Sequence, residues 1–412
     1  MRRRRAGVVP FAAAAAIAVV LTACGAGGGR SSDDVTAGQS SAPASTTKVA
    51  TNFHPVAGNF KPNDAKLEDC GRDGANACYE QAFGNIAYYQ GPKAALKVFD
   101  ESIAKPGPIE SDCHRIVHTI GSASLARFKG NVAKAFSEGS SSCWSGYYHG
   151  ILERAFVAVN STSVADVGSV ARGLCDDTEV RRITWILYQC VHGLGHGLMI
   201  NSGYNLPFSL DVCDELATAW DQTSCKGGVF MENISSSYGF ASPWLKEDDP
   251  VYPCNSLEEN DKPYCYLMVT SRILRWNNWD WEGTAKVCAG VEKGWVATCF
   301  QSYGRDASGS TRQNPEEILQ LCAEAKPFGG QVDCVEAAAK DMTANYTSGL
   351  QASALCDKAP AKLRGGCFYA IGSIMGSFRA TAEEREADCR AITRNEAYVE
   401  QCLRASNPTT TS

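Results

Sequence analysis

From Cys175 onward the cysteines of this 412-residue chain fall into local couples, and the couples recur. They are Cys175/Cys190, Cys213/Cys225, Cys254/Cys265, Cys288/Cys299, Cys322/Cys334, Cys356/Cys367 and Cys389/Cys402, and the first member returns every 33 to 41 residues. Stacked helical hairpins produce a period of this size, because each two-helix unit buries its apolar face only against its neighbours. The residues around the couples agree. Pro315-Glu-Glu-Ile-Leu-Gln-Leu-Cys322 reads as a helix with proline at its start, Lys326-Pro-Phe-Gly-Gly as a turn, and Cys334 to Met342 as the next helix. One cysteine thus sits in the last turn of a first helix and its mate in the first turn of the second, where the two ends meet. The expected fold is all-α, a right-handed array of helical hairpins over residues 66–405, with 406–412 as a tail.

The stretch from Ala82 to Ile103 carries Tyr88, Tyr89, Ala95 and Phe99 among small residues. It resembles a tetratricopeptide or Sel1-like hairpin over this one unit. The resemblance supports the helical array and implies no particular activity.

Ahead of the repeats, Arg2 to Arg5 form a basic start, Ala6 to Val20 an apolar run, and Leu21-Thr22-Ala23-Cys24 follows directly. The segment resembles the lipobox signal of bacterial lipoproteins. That resemblance implies removal of residues 1–23, lipidation of the Cys24 thiol, and anchoring on the outer face of the cell membrane. Residues 24–65 are rich in Gly, Ser, Thr, Ala and Pro and read as a flexible tether. No later stretch supplies the roughly 18 apolar residues of a membrane span. An extracytoplasmic address is oxidising. Setting Cys24 aside leaves an even number of cysteines, with no CxxC pair and no CxxCH haem attachment. Nine disulfides are therefore expected: the seven couples, a shorter Cys70–Cys78 staple, and Cys113–Cys143 between neighbouring hairpins. Each short loop contributes about 3 kcal/mol in the chain-entropy model. A net charge of −6 and the lack of a basic run argue against a nucleic-acid partner.

Five of the six histidines fall between positions 114 and 196, in register with the cysteines. The segments are Cys113-His114-Arg-Ile-Val-His118, Cys143-Trp-Ser-Gly-Tyr-Tyr-His149-Gly-Ile-Leu-Glu153 and Cys190-Val-His192-Gly-Leu-Gly-His196. On a helix, residues four apart share a face, so each segment aims two potential ligands one way. When the second helices are aligned on His118, His149 and His196, His114 and His192 lie one turn earlier and Glu153 one turn later. In the next unit Glu232 falls one residue past the slot. Beyond it the slot passes to Arg305, Lys340 and Ser373. Glycines around the histidines, among them Gly121, Gly150 and Gly195, would let the helices approach closely.

This pattern predicts a transition-metal site of His114, His118, His149, Glu153, His192 and His196, with Glu232 as a base or supporting group and Tyr147, Tyr148 and Tyr188 as hydrogen-bond partners. Six candidate ligands suit one five- or six-coordinate ion or two ions of about three ligands each. Imidazole with carboxylate admits Cu, Fe, Zn or Mn. The expected unit is a metal-site array over 66–240 followed by scaffold repeats over 241–405. The corresponding function is a metalloenzyme, an oxidoreductase or hydrolase, with Glu153 and Glu232 in catalytic roles. The alternatives are a metal-capture or sensing lipoprotein, or an interaction scaffold whose histidines are a hydrogen-bonded polar core or a pH switch. The C-terminal repeats are a candidate surface for a protein partner. Trp276, Trp279 and Trp281 either line a carbohydrate- or peptide-binding surface or pack between repeats.

Overall fold

The computed structural model describes residues 58–71 and 76–407, apart from 141, 144, 158, 160 and 238–240. The expected signal segment, Cys24 and most of the expected tether lie outside the described residues, as does the end of the expected tail. The described residues form helices and turns with no strand. No helix among them is long and apolar enough to cross a membrane.

Eleven inner helices carry the architecture: α1 (Asn76–Gln90), α2 (Cys113–Arg127), α3 (Gly146–Val157), α4 (Thr184–Asn201), α5 (Ala219–Ile234), α6 (Lys262–Met268), α7 (Thr270–Trp276), α8 (Val296–Ser310), α9 (Gln331–Tyr346), α10 (Ala361–Phe378) and α11 (Glu396–Ser406). From α1 to α5 each packs against the next. The short pair α6 and α7 then links α5 to α8, and the stacking resumes through α9, α10 and α11. The connecting helices between them, such as Pro92–Ile103, Val164–Leu174 and Pro315–Glu324, flank this row. The array also curls. Helix α4 touches α10, and the Trp185 ring meets Phe378 edge-on at 4.8 Å.

Local chemistry sets the hairpins. Asn314 caps Pro315–Glu324 by accepting from the backbone N–H groups of Glu316 and Glu317. Lys326–Phe328 forms a tight turn that ends on Gly329 at φ +82°, and α9 begins at Gln331. The stretch from Ala82 to Ile103 lies in a hairpin of α1 and Pro92–Ile103, with Phe83 and Phe99 edge to face at 5.6 Å. Nine disulfides staple the array: Cys70–Cys78, Cys113–Cys143, Cys175–Cys190, Cys213–Cys225, Cys254–Cys265, Cys288–Cys299, Cys322–Cys334, Cys356–Cys367 and Cys389–Cys402. These are the couples read from the spacing. Several local details differ from the simple hairpin: Cys190, Cys225, Cys367 and Cys402 lie in the second turn of their helices, not the first. Cys143 lies in the turn before α3 at φ +48°, and Cys254 sits in a single 3-10 turn where a full first helix was expected.

The inner helices cross where a side chain would not fit. A Cβ on Gly150 would overlap the His118 carbonyl, and one on Gly121 would overlap the Tyr147 carbonyl. Gly228 against His192 and Gly195 against Cys225 repeat the arrangement between α4 and α5. Backbone therefore packs on backbone, and side chains on these helices are buried on nearly every face. In α4 every residue from Tyr188 to Ile200 is buried. In the later units the slot is filled by other polar groups. Arg305 pairs with Asp306 at 2.8 Å and bonds Ser271 Oγ at 2.6 Å. Of the tryptophan cluster, Trp281 packs on Tyr303 at 5.0 Å, whereas Trp276 is exposed and donates to the Glu247 carbonyl at 2.8 Å.

Candidate metal centre

Helices α2, α3 and α4 bring all five histidines together. His114, His118 and His149 each place one ligand atom within 4.8 Å of the others, and so do His149, His192 and His196. The two groups share His149. His118, His149, His192 and His196 are at most 1% exposed, while His114 is partly exposed.

Each helix supplies its pair in the same geometry. His114 Nε2 lies 3.2 Å from His118 Nε2, and His192 Nε2 lies 3.3 Å from His196 Nε2. The other ring nitrogens are engaged elsewhere. His114 Nδ1 lies 3.0 Å from the Cys143 carbonyl, and His118 Nδ1 lies 3.3 Å from Glu153 Oε2. His196 Nδ1 lies 2.8 Å from Glu232 Oε2, and His192 Nδ1 is 3.3 Å from the Tyr188 hydroxyl. A carbonyl or a carboxylate only accepts, so Nδ1 of His114, His118 and His196 carries the proton and Nε2 of the neutral ring is bare. In the first pair two lone pairs then face each other at 3.2 Å. A shared proton or a metal ion has to occupy that place. Four tetrahedral ligands at bonds of about 2.05 Å lie about 3.3 Å apart. The Nε2 separations match that edge.

His149 differs from the other four. Neither of its ring nitrogens has a hydrogen-bond partner among the described residues. Its ring stacks on His196 with centroids 4.1 Å apart and planes within 15°. A buried imidazole without partners is costly unless something else satisfies it.

The electrostatics favour the ligand form of His114, His149 and His192. Burial, with the neighbouring histidines adding to it, pushes His149 and His192 well below the ordinary imidazole range. Burial and then His118 lower His114 to about 3. Neutral imidazole is the form that binds metal.

The carboxylates stand behind the rings, not among the converging nitrogens. Glu153 accepts from the Gly58 N–H at 3.1 Å and holds His118. Burial would raise the Glu232 carboxyl, but His196, Ser237 and Tyr204 outweigh it and hold it near about 2. Orienting carboxylates of this kind fix the tautomer and raise ligand basicity. Neither Glu153 nor Glu232 belongs to the groups whose ligand atoms converge. Of the tyrosines, Tyr188 reaches His192, whereas Tyr147 donates to the Ala135 carbonyl at 2.8 Å and Tyr148 packs on Phe136.

Three supporting groups had no signal in the pattern. Tyr204 lies in the Ser202-Gly203-Tyr204 turn after α4, at φ +63°, and its hydroxyl donates to Glu232. Ser237 donates to the same carboxylate through its backbone N–H at 2.8 Å and its hydroxyl at 2.6 Å. The Cys143 carbonyl faces His114 Nδ1, and the Cys113–Cys143 bridge ties Cys143 to the helix that carries His114. No family model, no curated protein and no solved structure matches this chain.

Proposed function

We propose that this chain is a lipid-anchored, extracytoplasmic protein that holds a transition metal between its histidine helices and uses it in oxidative chemistry on a small ligand such as dioxygen or peroxide. The observation that carries the reading is the pair of three-histidine groups that share His149, whose ring nitrogens have no hydrogen-bond partner among the described residues. An all-imidazole donor set suits Cu, Zn or Fe better than Mn, which prefers oxygen ligands. Three protein ligands at an ion leave a position for a small molecule. Burial of four of the five rings weighs against hydrolysis of a bulky substrate at the metal. In this reading Glu153 and Glu232 position His118 and His196 and take protons only through them.

The same burial favours a second reading, a metal-capture or sensing lipoprotein with a closed site. Two measurements separate the possibilities. Elemental analysis of the folded, reconstituted protein should find stoichiometric metal, and its absence would sink both readings. Azide or cyanide should alter the spectrum of the loaded protein, and an unchanged spectrum would leave only the closed binder. Membrane anchoring rests on the lipobox. Cys24→Ala should release the protein from the membrane fraction. The right-handed Sel1-like winding and a partner surface on the C-terminal repeats complete the proposal.

A further inference from the structure

We infer that His149 binds two metal ions at once, one through each ring nitrogen, so that five histidines make a centre of two ions. The inference rests on the metal-binding reading and fixes the arrangement inside it. Four of the five histidines have Nδ1 in contact with a carbonyl, a carboxylate or a hydroxyl. Each therefore offers Nε2 alone, and offers it beside its helix mate. His114 and His118 on α2 form one such pair, and His192 and His196 on α4 form the other. Helix α3 packs between α2 and α4, and its single histidine belongs to both groups. His149 is also the one ring whose two nitrogens are both without a partner among the described residues, at 0% exposure. Two pairs and one shared ring give each ion three nitrogens. This is the assignment that follows the two groups whose ligand atoms converge.

The chemistry balances. A neutral imidazole carries one N–H. Binding of the first ion uses the lone pair on one nitrogen. Binding of the second breaks the N–H bond on the other, forms a nitrogen–metal bond with that electron pair, and sends the proton to water. Nothing is oxidised or reduced. The bridging imidazolate adds a negative charge between the ions, and the Glu153 and Glu232 carboxylates lie behind one pair each. Coordination by both His149 and His196 at one ion requires the His149 ring to turn out of their stack. No hydrogen bond to His149 among the described residues opposes that turn.

Copper(II) titration of the metal-free full-length protein tests the inference, because two copper(II) ions bridged by one imidazolate are magnetically coupled. The expected result is two equivalents bound with a coupled spectrum, including a half-field resonance at the second equivalent. His149→Gln should abolish the coupling. Should that variant fail to fold, the wild-type spectrum still decides. Two equivalents without coupling, or saturation at one, would overturn the bridge while leaving metal binding intact. No copper bound at all would overturn the metal-binding reading itself.

Discussion

Glu232→Gln is the sharpest test of how the centre is held. The Glu232 carboxylate receives four hydrogen bonds. His196 Nδ1 and Ser237 Oγ meet Oε2 at 2.8 and 2.6 Å, and the Ser237 N–H and the Tyr204 hydroxyl meet Oε1. Two of these donors, His196 Nδ1–H and the Ser237 backbone N–H, face different oxygens. A glutamine has one oxygen and one NH2 group, so either orientation sets a donor against a donor. If the NH2 faces Ser237 N–H, a buried donor is left unpaired, at a cost of about 1–3 kcal/mol. If it faces His196, the ring can escape by moving its proton from Nδ1 to Nε2. The metal-free protein should take this route, because the relocated Nε2–H then points at His192 Nε2, 3.3 Å away. The metal, however, needs that lone pair. Loading must restore the original tautomer and accept the unpaired donor. Metal affinity should therefore fall by about 5- to 150-fold, the equivalent of about 1–3 kcal/mol. The metal-free unfolding midpoint should move little. Competition against a chelator of known affinity, beside thermal unfolding of the metal-free form, measures both. Unchanged metal affinity in a folded variant would refute the role given to Glu232.

Further outcomes follow from other features. Gly228→Ala should destabilise the protein by about 1–3 kcal/mol, because its Cβ meets the His192 carbonyl and α4 and α5 must part. Gly173→Ala, with nothing within 4 Å of the added Cβ, should be neutral or stabilise by up to about 1 kcal/mol in the same thermal unfolding assay. Asp341 gives a pH signature. Burial, partly offset by Ser308 and Arg305, raises its carboxyl from 3.8 to about 7. The unfolded chain loses that proton near pH 3.8 while the folded chain keeps it to about pH 7. Stability therefore falls as pH rises through this window, by about 4 kcal/mol at most, and levels off above it. Asp341→Asn should remove this fall, and denaturant curves of the two proteins running parallel from pH 4 to 8 would contradict it. Replacing Cys356 and Cys367 together by alanine should cost about 3 kcal/mol in reversible denaturation, since they close a loop with a sequence separation of 11.

Much of this was legible in the sequence because cysteine spacing reports on helix ends. A disulfide joins Cα atoms about 5–6 Å apart, so regular couples locate the hairpin turns. The histidines were legible for a related reason. Their i,i+4 spacing, and their place within a few residues after a cysteine, put them on one face of successive helices, and the five rings do converge. The spacing could not say which ring nitrogen faces inward. That depends on acceptors from other segments, such as the Cys143 carbonyl and Glu153 Oε2. Glu153 shows the limit. One turn beyond His149 it reads as a further ligand on the same face. Instead it crosses to His118 on α2, because Gly150 lets the two helices come close enough for the carboxylate to reach Nδ1. Glu232, one residue off the slot, stands in the same relation to His196.

The staples and the glycine crossings explain why such a centre can be buried at all. Five imidazoles in an interior are unfavourable unless protonation, hydrogen bonds or a metal satisfies them. A loosely packed bundle would relieve the opposed lone pairs of His114 and His118 by rotating a helix or admitting water. Here α2 is tied to the turn before α3 by Cys113–Cys143, α4 to the end of Val164–Leu174 by Cys175–Cys190, and α5 to Leu206–Asp214 by Cys213–Cys225. Backbone contact at Gly121, Gly150, Gly195 and Gly228 leaves little room to slide. The two helix pairs of rings are thus held facing one another before any ion arrives, and less ordering remains to oppose binding. The later repeats keep the staples, and in α8 the equivalent slot holds the Arg305–Asp306 pair, whose charges satisfy each other without an ion. The same scaffold therefore supports two kinds of polar interior, and only the one built from neutral rings calls for a cation from outside.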